Sequence, residues 1–326
     1  MDMRTTMLWG LAAVGLILAP PVWAQSAWPQ KPVRVLIGFA AGTSVDTMAR
    51  LAAGRLQERW GQPVVIESVV GAAGNLAAER AAKSSPDGQT LLWSGNAAIV
   101  VNPALYPRLG YDPLKSFAPI TLVVQTPNIL VVHPSVPAKS VVDLIALAKA
   151  RPGELTYASA GVGTSTHIAG ELLRTLAGAN LLHVPYKGGQ GIIADVVSGR
   201  VDMTFSNIGS SALAIVKQGR LRALAVSSAR RSALLPDMPT VAESGVPGFE
   251  AIAWFGVLAP QGTPDPILHV VRDSLAAALA APELRTRYAE MGLEIVGNSP
   301  SQFSALIADE LPKWRRFVQE TGIKLE

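Results

Sequence analysis

The loop Gly38–Asp46 is the segment whose residue types point most directly to chemistry. It follows the apolar, strand-like run Val33–Ile37, and a helical pattern begins just after it. A turn of this kind leaves the first N–H groups of the helix without backbone partners, and the helix dipole favours an anion there. The loop therefore predicts anion binding, although an ordinary turn between a strand and a helix has the same pattern.

Three further loops repeat this composition, namely Gly71–Asn75, Ala158–His167 and Pro185–Gly189. Glycine permits close approach of the backbone, and serine and threonine supply neutral hydrogen-bond donors. If such loops face one another across a cleft, they can surround a carboxylate with N–H and O–H groups. The repetition therefore predicts a carboxylate site that needs no buried arginine.

Several of these side chains also have a purely structural interpretation. Thr164, Ser165 or Thr166 can serve only to cap the following helix, a role that such residues favour. Asp46 can brace its own loop without touching a ligand. His167 lies one turn into an apolar helix, where a structural histidine is also expected.

Two other segments carry the same ambiguity. Lys187 lies beside two glycines, where it fits either an anion ligand or a surface lysine. Trp254 and Phe255 lie in an apolar run, which indicates packing in a core or at a hinge.

The sequence offers little support for catalysis or for a metal. The absence of cysteine excludes disulfides, thiolate metal sites and cysteine nucleophiles. The four histidines are far apart and lack metal-binding spacing, and the glycine loops match neither the dinucleotide-binding nor the Walker pattern. We therefore predict no catalytic residue, no metal and no cofactor. A secreted hydrolase would rest only on scattered Ser, Asp and His residues.

The charge of the chain is modest and dispersed. The formal net charge is +4, but the basic residues are scattered and no aromatic-interleaved Lys/Arg run occurs. This distribution argues against nucleic-acid binding and is compatible with small acidic ligands.

The N-terminus has the pattern of an export signal. Arg4 precedes the apolar run Met7–Ala19, and small residues follow at Val22 and Ala24. This pattern predicts a secretory signal peptide over residues 1–24. The run is short for a membrane span, and no later segment has the ~18 uninterrupted apolar residues of a membrane helix. We expect the exported chain to be soluble.

Apolar runs rich in β-formers alternate with helical patterns along most of the chain. This alternation predicts an α/β fold with mostly parallel sheets between helices, and ligands in such sheets bind beyond the carboxyl ends of the strands. The prolines in 101–119 indicate a connection. The last part of the chain is predicted to be helical over Pro264–Ala281, Pro282–Met291 and Pro300–Thr321. The predicted strands are Val33–Ile37, Val64–Glu67, Thr90–Trp93, Ile129–Val132, Thr156–Ala158, Leu182–Val184, Val201–Phe205 and Leu221–Val226.

A series of short segments, in this order, resembles one receptor family. The chain is similar from Trp28 to Ile323 to the extracytoplasmic solute-binding receptors of tripartite tricarboxylate transporters, the Bug-type family. The segments that carry the resemblance are Trp28–Val33, Gly71–Gly74, Ser85–Leu92, Ala158–Glu171, His183–Gly188, Gly219–Val226, Leu235–Thr240 and Ala259–Pro264.

The resemblance implies a two-lobed periplasmic binding protein of type II-like fold, with a ligand cleft between the lobes. Lobe 1 would comprise 28–127 and 251–326, and lobe 2 would comprise 128–250. A monomer in the periplasm would close over a dicarboxylate, tricarboxylate, acidic amino acid or aromatic acid, and deliver it to permease subunits of a tripartite transporter. The alternative is a ligand-sensing receptor that docks on a membrane sensor kinase.

The resemblance also implies that the loop Gly38–Asp46 seats a carboxylate, partly through ordered water. This sequence departs from the family pattern at Gly38 (usually proline), at Thr43 (usually glycine) and at 68–70 (usually Asn-Arg/Lys-Pro). The expected ligand-binding residues are Phe39, Ala41, Gly42, Thr43, Ser44, Asp46, Gly163, Thr164, Ser165, His167 and Asn207.

Overall fold

A computed structural model describes residues 28–186, 191–209 and 211–322 of the chain. The predicted signal peptide and Lys187 lie outside these residues. Within these ranges, no helix combines the length and the apolar character that crossing a bilayer requires.

The described residues form ten strands and ten α-helices. The strands are β1 Val33–Ile37, β2 Val64–Ser68, β3 Thr90–Gly95, β4 Phe117–Val132, β5 Thr156–Ser159, β6 Leu182–Pro185, β7 Met203–Asn207, β8 Arg222–Val226, β9 Ile252–Pro260 and β10 Glu294–Ile295. The helices are α1 Ser44–Trp60, α2 Asn75–Ala82, α3 Asn102–Leu105, α4 Val141–Ala150, α5 Ser165–Ala177, α6 Ile192–Val197, α7 Ser211–Lys217, α8 Asp265–Ala280, α9 Pro282–Glu290 and α10 Pro300–Thr321.

The strands form a mixed sheet in the order β2-β1-β3-β9-β4-β7-β5-β6, with β8 and β10 also paired to β4. Strands β1, β2 and β3 are parallel to one another, as are β5, β6 and β7. Strand β4 joins these two halves, because Phe117–Pro127 pairs with β9 whereas Asn128–Val132 pairs with β7 and β8. We call the parts on either side the first and the second half of the sheet.

The register of β4 brings the carboxyl ends of both parallel sets towards one region. Gly95, at the end of β3, lies opposite Phe255, which in turn lies opposite Val124. Asn207, at the end of β7, lies opposite Asn128. Four residues of extended chain span roughly 13 Å. The loops that follow the two sets of strands are therefore directed towards one region beside the middle of β4.

Apolar clusters on both faces of the sheet hold the helices in place. On one face of the first half, Met48 of α1 and Leu275 of α8 pack with Val35. On the other face, Phe303 of α10 belongs to the same apolar cluster as Leu36. The second half is covered in the same way, with α4 and α5 in one cluster and α6 in another. This layering is that of an α/β fold.

The structure contains every predicted strand, with ends that differ by at most a few residues, apart from β4. The expectation of mostly parallel sheets is wrong, because β4 and β9 run antiparallel to their neighbours. Strand β4 begins at Phe117 rather than Ile129, and β9 was not predicted. Proline cannot donate to a ladder and suggested a connection, but the register shift between Pro119 and Thr121 accommodates it.

One glycine contact between the two halves gives a stability prediction. A Cβ at Gly209, just after β7, would lie 1.7 Å from the backbone oxygen of Met291, which neighbours β10. We expect Gly209→Ala to lower the free energy of unfolding by about 1–3 kcal/mol, because backbone must shift. Gly54→Ala, in α1 with open space around it, should raise it by about 0.5–1 kcal/mol. Urea unfolding of both variants checks this, and a Gly209→Ala protein as stable as wild type would contradict it.

Candidate functional site

The loop after β1 is held by its own side chains. Gly42 has a φ of +81°, which favours glycine. Thr43 caps α1: its Oγ1 donates to the carbonyl oxygen of Ala40 at 2.8 Å and accepts from the N–H of Asp46 at 3.3 Å. A carboxylate oxygen of Asp46 in turn accepts from the N–H of Gly42 at 2.9 Å. The hydroxyl of Thr43 is therefore engaged within the loop.

Asp46 is buried and paired. The Nε atom of Arg50 donates to its two carboxylate oxygens at 2.9 and 3.0 Å. This hydrogen bond, together with that from Gly42, holds the pKa of Asp46 below its usual value even though burial opposes this. Asp46 therefore braces the loop, and Arg50 offsets its negative charge.

The loop after β5 has the same geometry. Gly163 has a φ of +83°. Thr164 caps α5: its Oγ1 donates to the carbonyl oxygen of Gly161 at 2.6 Å and accepts from the N–H of His167 at 3.5 Å. The N–H of Gly163 donates to Nδ1 of His167 at 3.2 Å. The Gly-Thr-Ser sequence is thus used twice, with aspartate completing the first loop and histidine the second.

This bonding leaves matched groups available at the two helix starts. Ser44 and Ser165 are the first residues of α1 and α5. Within the described part of the chain, the hydroxyl groups of both serines have no hydrogen-bond partner. The backbone N–H groups of Ser44, Val45, Ser165 and Thr166 have no acceptor there either. Such N–H groups at a helix start bind anions. Ser44 is exposed and Ser165 is half-buried.

Three glycine loops meet here, two of them directly and the third through Asn102, a residue that sequence reasoning missed. A Cβ at Gly38 would lie 2.4 Å from the Cα of Gly74, so the loops after β1 and β2 touch and a side chain at 38 has no room. The Nδ2 atom of Asn102 donates to Oδ1 of Asn75 at 2.7 Å. On its other side, Oδ1 of Asn102 lies 2.6 Å from the position of a Cβ at Gly163. Nothing in the local sequence of Asn102 signals this role.

The remaining predicted residues lie at the same ends of strands. The ring of Phe39 packs edge-to-face on Phe255, with centroids 5.8 Å apart. Ala41 is exposed beside Gly42. Asn207 ends β7, and its Oδ1 accepts from the N–H of Gly209 at 2.8 Å. Trp254 is buried, as expected of core packing. In the described ranges, no three His, Cys, Asp or Glu side chains are grouped so as to hold a metal ion.

His167 is a buried, neutral imidazole. Burial, followed by the neighbouring His183 with ring centroids 4.4 Å apart, lowers the pKa of His167 to about 4. Glu171 opposes this shift and Arg174 adds to it. Because Nδ1 accepts from Gly163, the proton of the neutral ring is on Nε2. The side chain that completes the second loop therefore adds no charge at neutral pH.

This pKa shift predicts how stability depends on pH. Between pH 6.5 and about 4, His167 binds fewer protons in the folded state than in the unfolded state. Its contribution therefore lowers the free energy of unfolding as pH falls through this window. The total loss from His167 is about 3 kcal/mol. We expect His167→Gln to flatten the fall in unfolding free energy, measured by urea titration at each pH. His269→Gln, at an exposed position of α8, is the control. Equal slopes of unfolding free energy against pH in the two variants would contradict the role given to His167.

The family and a curated relative match most of the chain. The model of the tripartite tricarboxylate transporter family receptor matches residues 48–323. Protein BugT of Bordetella pertussis is 37% identical over 322 residues, which cover 97% of this chain and 98% of BugT.

Solved structures share the fold over nearly their whole length. Rpa4515 of R. palustris with adipate superposes with a TM-score of 0.84 at 36% identity, over 92% of this chain and all of that chain. The periplasmic binding protein BugD gives a TM-score of 0.82 at 33% identity, over 92% of this chain and all of BugD. MatC from Rhodopseudomonas palustris with bound malate gives 0.81 at 32% identity, over 89% of this chain and all of MatC.

These matches confirm the expected two-lobed fold of periplasmic binding proteins and the expected family. The family consists of solute-binding receptors rather than enzymes, so the hydrolase alternative is set aside. With its fold, its family match and its relatives in agreement, the chain belongs to the tripartite tricarboxylate transporter family of receptors.

Proposed function

We propose that this receptor captures a small carboxylated organic anion between its lobes and delivers it to a membrane transporter of the tripartite tricarboxylate type. The observation that carries the proposal is the matched pair of helix starts at α1 and α5. Each offers unpaired N–H groups and the hydroxyl of one serine, Ser44 or Ser165, and each follows a strand whose carboxyl end is directed towards the middle of β4.

The charge around these helix starts supports an anion as ligand. Neither 38–46 nor 159–167 contains Arg or Lys. The charge of Asp46 is offset by Arg50, and His167 is neutral. The carboxylate is therefore held by N–H and hydroxyl donors at two helix starts. The other predicted site residues, among them Phe39 and Asn207, shape and position this donor set.

The relatives support the class of ligand and the transport role. One solved relative contains adipate and another contains malate, so dicarboxylates are the leading candidates among the carboxylates. Family membership and the predicted signal peptide support a place in the periplasm and a permease as partner. Within β4, the change of partner from β9 to β7 between Pro127 and Asn128 supports a lobe boundary there, and with it closure by a hinge.

A thermal-shift screen of the exported chain tests the proposed ligand class. The panel holds adipate, malate, citrate, acidic amino acids and aromatic acids, and the protein is first unfolded and refolded to remove co-purified ligand. A ligand at 100 times its Kd should stabilise the protein by about 2.7 kcal/mol. Amines and neutral sugars of similar size are the controls. Folded protein that responds to no carboxylate would overturn the proposal.

The two free serines give a sharper test. Hydrogen bonds to a charged group contribute about 1.5–3 kcal/mol, so Ser44→Ala and Ser165→Ala should each weaken carboxylate binding about ten- to a hundredfold in calorimetry. Their unfolding free energies should change little, because neither hydroxyl bonds to described residues. Thr164→Ala is the matched variant, since it removes a cap and should lower stability by about 1 kcal/mol. Unchanged affinity in both serine variants would rule out the two-helix donor set.

A further inference from the structure

Asn102 occupies an unusual position between the two lobes. It is the first residue of α3 and is fully buried. Its Nδ2 atom donates to Oδ1 of Asn75 at 2.7 Å and to the carbonyl oxygen of Ala72 at 3.4 Å, so the amide is anchored to the loop after β2. Tyr111 also contacts Oδ1 of Asn75, at 2.8 Å, and extends this anchor.

The other side of the same amide faces the second lobe. Oδ1 of Asn102 has no hydrogen-bond partner among the described residues, and a Cβ at Gly163 would lie only 2.6 Å from it. The same Cβ would lie 3.4 Å from the Cδ1 atom of Leu105 in α3. Val162 and Ile168, on either side of the loop, pack in one apolar cluster with Leu105 and other residues of the first half. The glycine loop of α5 is therefore pressed directly onto α3.

We propose that Asn102 is a positioning residue for ligand capture. It forms the surface of lobe 1 that Gly163 of lobe 2 contacts when the cleft closes, and we call this contact surface the seat. Glycine is required at 163 for two separate reasons. Its φ of +83° favours glycine, and the seat leaves no space for a side chain. The inference rests on the proposed function only in taking lobe closure as the binding event.

The seat also opposes closure of the empty receptor. When Gly163 covers Oδ1 of Asn102, this acceptor loses water and gains no protein donor in exchange, which is unfavourable. When the lobes separate, the oxygen regains water. Ligand binding must therefore outweigh this loss, so the contact favours the open form until a carboxylate is held.

The two glycine loops supply a matched control for this proposal. Gly42 has nearly the same φ as Gly163, and its N–H bonds to a side chain in the same way, but a Cβ at Gly42 would meet no atom within 4 Å. Alanine at either position suffers the same backbone strain. Only alanine at 163 also collides with Asn102.

The test is a double-mutant cycle read out as the distance between lobes. The chain has no cysteine, so spin labels can be placed at Ala146→Cys on α4 and Ala289→Cys on α9, both exposed. Double electron–electron resonance is recorded for the labelled protein, Gly163→Ala, Asn102→Ala and the double variant. Each is measured alone and with adipate or malate as the probe.

We expect Gly163→Ala to reduce the ratio of short- to long-distance populations at least about tenfold, because overpacking disfavours the seated form. In the Asn102→Ala background, the same change should reduce the ratio by no more than about threefold, because the colliding amide is gone. Any reduction of this ratio in Gly42→Ala measures the effect of backbone strain alone, and adding Asn102→Ala should not restore the ratio. Thermal unfolding of Gly42→Ala and Gly163→Ala shows whether both variants fold.

An effect of Gly163→Ala that is the same in both backgrounds would overturn the proposal. So would a wild-type protein that shows only the long distance under all conditions, because the seat would then not form in solution. Coupling between 102 and 163 without binding of any carboxylate would leave the seat intact and overturn the proposed function instead. Carboxylate binding without this coupling would overturn the seat and leave the proposed function intact.

Discussion

Strand β4 runs through both halves of the sheet, and its antiparallel register decides which loops of this protein can meet. Up to Pro127 it pairs with β9, and from Asn128 it pairs with β7 and β8. Because both parallel sets of strands are attached to it in opposite directions, their carboxyl ends converge on its middle. The positions of the glycine loops and their contact at Asn102 both follow from this one strand.

Within that frame, the site combines two nearly identical loops whose charges are balanced locally. The aspartate of the first loop is paired with Arg50, and the histidine of the second is kept neutral by burial. An anion at either helix start would thus meet hydrogen-bond donors rather than an uncompensated negative charge that repels it. This arrangement suits the proposed receptor, because a ligand held by several moderate hydrogen bonds can be both bound selectively and released.

The local parts of this structure were predictable from the sequence, and the long-range parts were not. The strand β1 and the helix α10 have the bounds that apolar runs and prolines indicate, and Thr164 is the cap that its residue type favours. The first half of β4 was missed because its prolines imitate a connection. Asn102 was missed because its contacts, with Asn75 and with Gly163, join residues 27 and 61 positions away (102 − 75 and 163 − 102), which no local pattern encodes.

The capping threonines have a consequence for the kinetics of recognition. The bonds that Thr43 and Thr164 make as caps, and those from Gly42 to Asp46 and from Gly163 to His167, lie within each loop and the first turns of its own helix. The second loop is also tied to β6 of the same half of the sheet, through the hydroxyl of Ser159 and the ring of His183. Neither loop needs the opposite lobe or a bound molecule to acquire its shape. Under the proposed function, an arriving solute would meet a preorganised half-site on either lobe, with little ordering entropy left to lose. The rate of encounter would then be set by diffusion, and the residence time of the ligand by the reopening of the lobes.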